Sequence, residues 1–112
     1  MSRIVYVNGE YVSEESAVIS VFDRGFLMAD AVYEVTSVLD GKLLEFDGHL
    51  KRLKRSLSEL DMQEPDAIND LLEIHRTLVR DNQVDQGGVY LQVTRGVADR
   101  DFIYPCLLYT SP

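Results

Sequence analysis

The apolar positions of this chain change period twice, and that order restricts the fold more than any other feature of the sequence. Ala31 to Leu39 is β-prone throughout. Leu50, Leu53, Leu57 and Leu60 then recur at helical spacing, with Asp47 as a start signal. A second helix opens at Glu64-Pro65-Asp66, where proline is tolerated in a first turn. Its apolar set is Ile68, Leu71, Leu72, His75, Leu78 and Val79. Asp81 to Gly88 is a turn-rich link, after which Val89, Leu91 and Val93 alternate with Tyr90, Gln92 and Thr94. Strands, two helices and a strand predict an α+β domain with an antiparallel sheet and both helices on one face.

Turn chemistry fills in the first part. Ile4–Val7 and Glu10–Val12 flank Asn8-Gly9, a pair that accepts the positive φ angles of a two-residue hairpin turn. Asp40-Gly41 predicts a second hairpin between 31–39 and Lys42–Phe46. Ala17–Phe22 is apolar and β-branched until Asp23-Arg24-Gly25 breaks it. A chain of 112 residues fits one domain or part of one. Its 46% hydrophobic and 27% charged residues are ordinary for a globular protein with a core.

The net charge of -8 argues against nucleic acid as a partner, because phosphate backbones require a dense basic surface. No apolar run is long enough to span a bilayer, and the alternating pattern that begins at Arg3-Ile4 leaves no room for a signal peptide. A cytoplasmic location is the expectation. The single cysteine, Cys106, forms no internal disulfide, and no Cys/His cluster has metal-ligand spacing, so no metal is expected.

Few residues offer chemistry on pattern alone. In a strand, Tyr33, Val35 and Ser37 share one face, and Val32, Glu34 and Thr36 the other. Tyr33 is either an aromatic of the sheet surface or a phenol aimed at a ligand beside Val35. Lys51, Arg52, Lys54 and Arg55 form the one basic cluster. Arg52, at the edge of the leucine stripe, is either part of a solvated helix face or a bidentate anion ligand. Arg95 and Arg100 follow the last strand in a glycine-containing loop. Arg100 either pairs with Asp99 or Asp101 or receives a carboxylate ligand. His75 falls on an apolar helix face and His49 in a first helical turn, neither with a metal partner. No nucleophile-elbow motif supports serine hydrolase chemistry.

Four segments in order nevertheless resemble the class IV aminotransferases, the fold-type-IV pyridoxal-phosphate enzymes. They are Phe22-Asp23-Arg24-Gly25-Phe26, Asp30-Ala31-Val32-Tyr33-Glu34-Val35, His49-Leu50-Lys51-Arg52-Leu53 and Gln92-Val93-Thr94-Arg95-Gly96. Gly96 to Pro105, GVADRDFIYP, is most similar to the D-amino-acid aminotransferases within that family. The resemblance implies that Arg52 holds the phosphate of pyridoxal 5'-phosphate. It implies that Tyr33 and Val35 line the substrate pocket. It implies that Arg100 binds the substrate carboxylate from the partner subunit of a homodimer. Many such enzymes carry histidine two residues after the loop arginine, whereas this chain has Phe102, whose ring cannot donate to a carboxylate.

The implied reaction is transamination between a D-amino acid of the D-alanine type and a 2-oxo acid. It needs a Schiff-base lysine, and Lys42, Lys51 and Lys54 all miss the family position, which lies in a second domain. Residues 1–105 therefore read as the small N-terminal domain, truncated before the second domain and inactive by itself. Residues 106–112 read as the translation of a sequencing adapter, the alternative being a genuine strand, for which the run is apolar enough. The alternatives within the family are a branched-chain aminotransferase or an aminodeoxychorismate lyase. Outside it, the alternative is a non-catalytic domain that binds a phosphorylated ligand or a protein.

Overall fold

The computed structural model describes residues 2–97. Strands β1 (Ile4–Val7) and β2 (Glu10–Ser13) pair antiparallel, with Val7 opposite Glu10. The two residues between them, Asn8 (φ 49°) and Gly9 (φ 92°), are both left-handed, as a tight hairpin turn demands. The same device joins β3 (Ala31–Leu39) to β4 (Lys42–Leu43), with Asp40 at φ 52° and Gly41 at φ 73°. Strand β5 (Gln86–Thr94) pairs antiparallel with the whole of β3, from Ala31 opposite Thr94 to Leu39 opposite Gln86. Among the described residues the antiparallel sheet predicted from the sequence is thus two sheets, a hairpin β1-β2 and a three-stranded sheet in the order β4-β3-β5.

Helix α2 (Phe46–Glu59) begins earlier than the leucine spacing marks it, and β4 is correspondingly shorter. Glu45 adopts φ 57° before the helix and gives no side-chain cap, so Asp47 is a first-turn acid that favours the helix dipole rather than a cap. Pro65 precedes a 3-10 turn over Asp66–Asp70, which runs into α3 (Leu71–Asp81). Both helices bury their apolar stripes against one face of the sheet. Leu53 and Leu57 of α2 and Ile68, Leu71 and Ile74 meet Val32 and Val93 in one core with Met62. The hairpin is tied to α3 by Asn82, whose Oδ1 accepts from Ile4 N (2.8 Å) and whose Nδ2 donates to Ile4 O (2.9 Å).

Two segments differ from what their composition predicts. The β-prone run Ala17–Phe22 forms no strand, and Val18, Ile19, Val21 and Phe22 are exposed. The break at Asp23-Arg24-Gly25 is a short helix, α1 (Arg24–Met28), capped by the Asp23 carboxylate accepting from Gly25 N at 2.8 Å. Gly25 is there because β5 passes close by. An added Cβ would lie 2.5 Å from Thr94 Cγ2, and Thr94 cannot rotate away while its hydroxyl donates to Asp23 Oδ2 at 3.1 Å. Gly25→Ala is expected to destabilise the protein by about 1–3 kcal/mol, since overpacking outweighs the alanine helix preference of up to ~1 kcal/mol. A melting temperature within about 1 °C of the parent would contradict this.

Candidate functional site

Strand β3 presents two faces of different chemistry. Its alternation is regular, with Val32, Glu34, Thr36 and Val38 buried and Tyr33, Val35, Ser37 and Leu39 exposed. Tyr33, 63% exposed, stacks on Tyr90 of β5 with ring centroids 5.6 Å apart and planes at 13°. Val35 stands opposite Tyr90 on the same open face. Sequence alternation groups Tyr33 with Val35, and the structure brings them together on this face. Their neighbour Tyr90 is not deducible from the sequence, because only the β3–β5 register places it there.

On the buried face, Glu34 joins two residues of α2. Its side chain is 6% exposed and accepts from Arg52 twice, Nε to Oε2 and Nη2 to Oε1, both at 2.8 Å. His49 Nδ1 lies 2.7 Å from the same Oε1. An ionised carboxylate only accepts, so His49 carries its proton on Nδ1 in this contact. His49 and Arg52 are three residues apart on α2 and therefore on one side of it. The Arg52 hydrogen bonds hold the Glu34 carboxyl below the usual carboxylate range, against burial and with lesser help from His49. Glu34 is absent from the residues that pattern alone singles out, although the sequence holds a signal for it. A glutamate on the buried side of a strand requires a cation, and the following helix supplies one.

Arg52 remains 57% exposed although it is anchored. A guanidinium has five N–H donors, of which Glu34 takes one on Nε and one on Nη2. The outward fork of Nη1 and Nη2 can therefore still grip a tetrahedral oxyanion.

A second polar cluster underlies the segment that follows β5. Arg24 and Arg95 each donate Nε to Asp30 Oδ2 at 2.8 Å, with all three side chains nearly buried. Arg95 also donates Nη2 to Leu60 O (2.6 Å) and Nη1 to Asp61 O (3.3 Å), just beyond the end of α2. Arg24 N donates to Gly96 O at 2.8 Å. The loop arginine Arg95 is thus a buried structural cation. Arg100, Phe102 and residues 106–112 lie outside the described residues. His75 is buried, donates Nδ1 to Leu71 O at 2.7 Å and packs edge-on against Phe46; burial pushes its pKa down. It is a core histidine. Among the described residues no group of acidic, histidine or cysteine side chains could hold a metal, and no helix is long and apolar enough to cross a membrane.

The family model for amino-transferase class IV matches residues 31–111. The D-alanine aminotransferase of Staphylococcus epidermidis is 41% identical over 101 residues, which are 90% of this chain and 36% of that protein. The chain thus spans about a third of the length of the curated relatives it matches. Escherichia coli branched-chain amino acid aminotransferase superposes with a TM-score of 0.87 at 20% identity, over 98% of this chain and 38% of that one. The T.th. branched-chain amino acid aminotransferase with pyridoxamine 5'-phosphate gives a TM-score of 0.78 at 23% identity, over 86% of this chain and 33% of that one. The family match over residues 31–111 and the motifs inside it show that the chain belongs to the class IV aminotransferases.

Proposed function

We propose that this chain is the small N-terminal domain of a pyridoxal-phosphate-dependent enzyme that moves an amino group between a D-amino acid of the D-alanine type and a 2-oxo acid. The observation that carries the reading is the posture of Arg52. It is clamped along one edge by Glu34 while remaining 57% exposed, so its other edge is open to an oxyanion. The donor set fits a phosphate monoester, which favours a planar bidentate cation over a point charge. In this reading Arg52 fixes the phosphate of the cofactor. The Tyr33 hydroxyl orients polar atoms of cofactor and substrate, and Val35 gives an apolar wall that favours a small side chain.

When bound, pyridoxal phosphate supplies the electron sink that weakens the bonds at the amino-acid α-carbon. The lysine the chemistry requires comes from the remainder of a longer protein, because Lys42, Lys51 and Lys54 do not stand at the family position. Arg100 receives the substrate carboxylate across the interface of a cytoplasmic homodimer, and Phe102 makes that trap less polar than in many relatives. The exposed apolar side chains Val18, Ile19, Val21, Phe22 and Phe26 fit burial against the second domain or the partner subunit.

A substrate panel on the full-length protein tests the reading. D-Alanine with 2-oxoglutarate is expected to exceed L-leucine in kcat/KM by about a hundredfold or more, since a site shaped for one configuration leaves polar groups unpaired with the other. Turnover confined to L-leucine or aminodeoxychorismate would assign the chain to another branch of the family. No turnover of any amino acid would favour a binding domain.

A further inference from the structure

We propose that Glu34 is the positioning residue of the cofactor phosphate site, acting through Arg52; this rests on the reading of Arg52 given above. An arginine on an exposed helix face samples many rotamers, and each must be given up when a ligand is gripped. Here the ordering is complete before any ligand arrives. The Glu34 carboxylate binds Arg52 through Nε and Nη2 at 2.8 Å each, and two contacts to one carboxylate fix the orientation of the guanidinium as well as its position. His49 Nδ1, at 2.7 Å from Oε1, holds the same carboxylate from a second side and prevents it from turning with the arginine. The burial of Glu34 against a leucine-lined helix makes the anchor rigid, while Arg52 stays open to solvent.

Two effects of Glu34 on an incoming phosphate have opposite signs, which makes the proposal decidable. As an anion near the site, Glu34 repels phosphate, and its removal alone would tighten binding. As an anchor, it presents the outward fork of Arg52, and its removal would weaken binding. Glu34→Gln is close in shape to the parent. Its amide nitrogen faces an arginine donor, so at most one of the two contacts survives. The anchor effect dominates in this geometry, because both guanidinium contacts are short and the carboxylate is buried.

The experiment measures dissociation constants for pyridoxal phosphate and for pyridoxal, which lacks the phosphate, in the full-length apoenzyme. E34Q is expected to weaken pyridoxal phosphate about tenfold and to leave pyridoxal within about twofold. In an Arg52→Ala background, E34Q is expected to add less than about twofold, because the route through Arg52 is gone. If E34Q binds pyridoxal phosphate as well as or better than the parent while Arg52→Ala binds it poorly, the positioning role is overturned and the phosphate assignment of Arg52 survives. If Arg52→Ala itself binds normally, the underlying reading fails. Equal losses for both ligands would show a merely structural role and overturn the proposal. Should E34Q fail to fold, Glu34→Asp withdraws the carboxylate by one methylene with its charge retained, and the same selective loss is expected.

Discussion

Arg52→Ala in the full-length protein is expected to weaken pyridoxal phosphate binding by about two to three orders of magnitude, the loss of two charge-assisted hydrogen bonds to phosphate. The magnitude follows from the geometry. Glu34 consumes only the Nε and inner Nη2 donors, so the fork that remains delivers both of its bonds to one ligand. Lysine restores the charge without the fork or the bidentate grip on Glu34, and Arg52→Lys is expected to recover only part of the affinity. Arg52→Ala also leaves Glu34, a buried carboxylate, with His49 still beside it but without its guanidinium. The arginine hydrogen bonds lower the folded-state pKa of Glu34, so this pair contributes stability above the unfolded carboxyl value of about 4.3 and loses it as pH falls through the lower folded value. At neutral pH the variant therefore bears the whole cost of the lost partner. An absorbance titration with pyridoxal phosphate reads the affinity. An unchanged dissociation constant would remove Arg52 from the cofactor site.

The parts of the fold that were legible in the sequence are those fixed by local physics. Asn8-Gly9 and Asp40-Gly41 announce hairpins because the left-handed backbone of such turns admits few residue types. The alternation over Ala31–Leu39 is regular, and the strand has those bounds. Ala17–Phe22 shows the opposite case. Its β-branched residues have a strand propensity, but no neighbouring strand pairs with them among the described residues, and propensity without a partner builds no ladder. Phe46 reads as the end of a strand because an apolar residue fits either period where the period changes.

The site was less legible for a different reason. Tyr33 and Val35 share a face by strand geometry alone, so the sequence suffices to group them. Arg52 is one of four basic residues within a short stretch, and its place at the edge of the leucine stripe does not by itself separate a ligand from a solvated cation. What distinguishes it is Glu34, eighteen residues away, facing α2 from the adjacent strand. Likewise Arg95 resembles, in sequence, a loop cation available for a ligand. Its burial depends on Asp30 and on the carbonyls beyond α2, which only the tertiary fold brings together.

Asp30→Ala is expected to destabilise the protein by about 3–5 kcal/mol, the cost of removing one partner from a buried ion cluster. A single oxygen, Oδ2, accepts from Arg24 Nε and from Arg95 Nε at 2.8 Å, and the three side chains are 5%, 2% and 8% exposed for Arg24, Arg95 and Asp30. Without it, two buried guanidinium groups lose the carboxylate they share. Burial decides the size of the effect. Arg3 and Glu14 make a comparably dense set of hydrogen bonds on the surface, at 2.8–3.2 Å, yet water screens both groups, and Glu14→Gln is expected to leave the unfolding transition unchanged. Asp30→Asn separates charge from shape: it keeps an acceptor but not the charge, and should fall between the parent and Asp30→Ala. The loss will spread to the site. Arg95 links Asp30 to Leu60 O and Asp61 O at the end of α2, and α2 carries Arg52 and His49. Hydrogen exchange in Asp30→Ala should therefore rise at the C-terminal end of α2 and along Arg24–Met28 before it rises in the β1-β2 hairpin, which is fastened separately through Asn82. Uniform exchange across all three regions, or a denaturation midpoint equal to that of Glu14→Gln, would show that the shared carboxylate is not what holds these elements together.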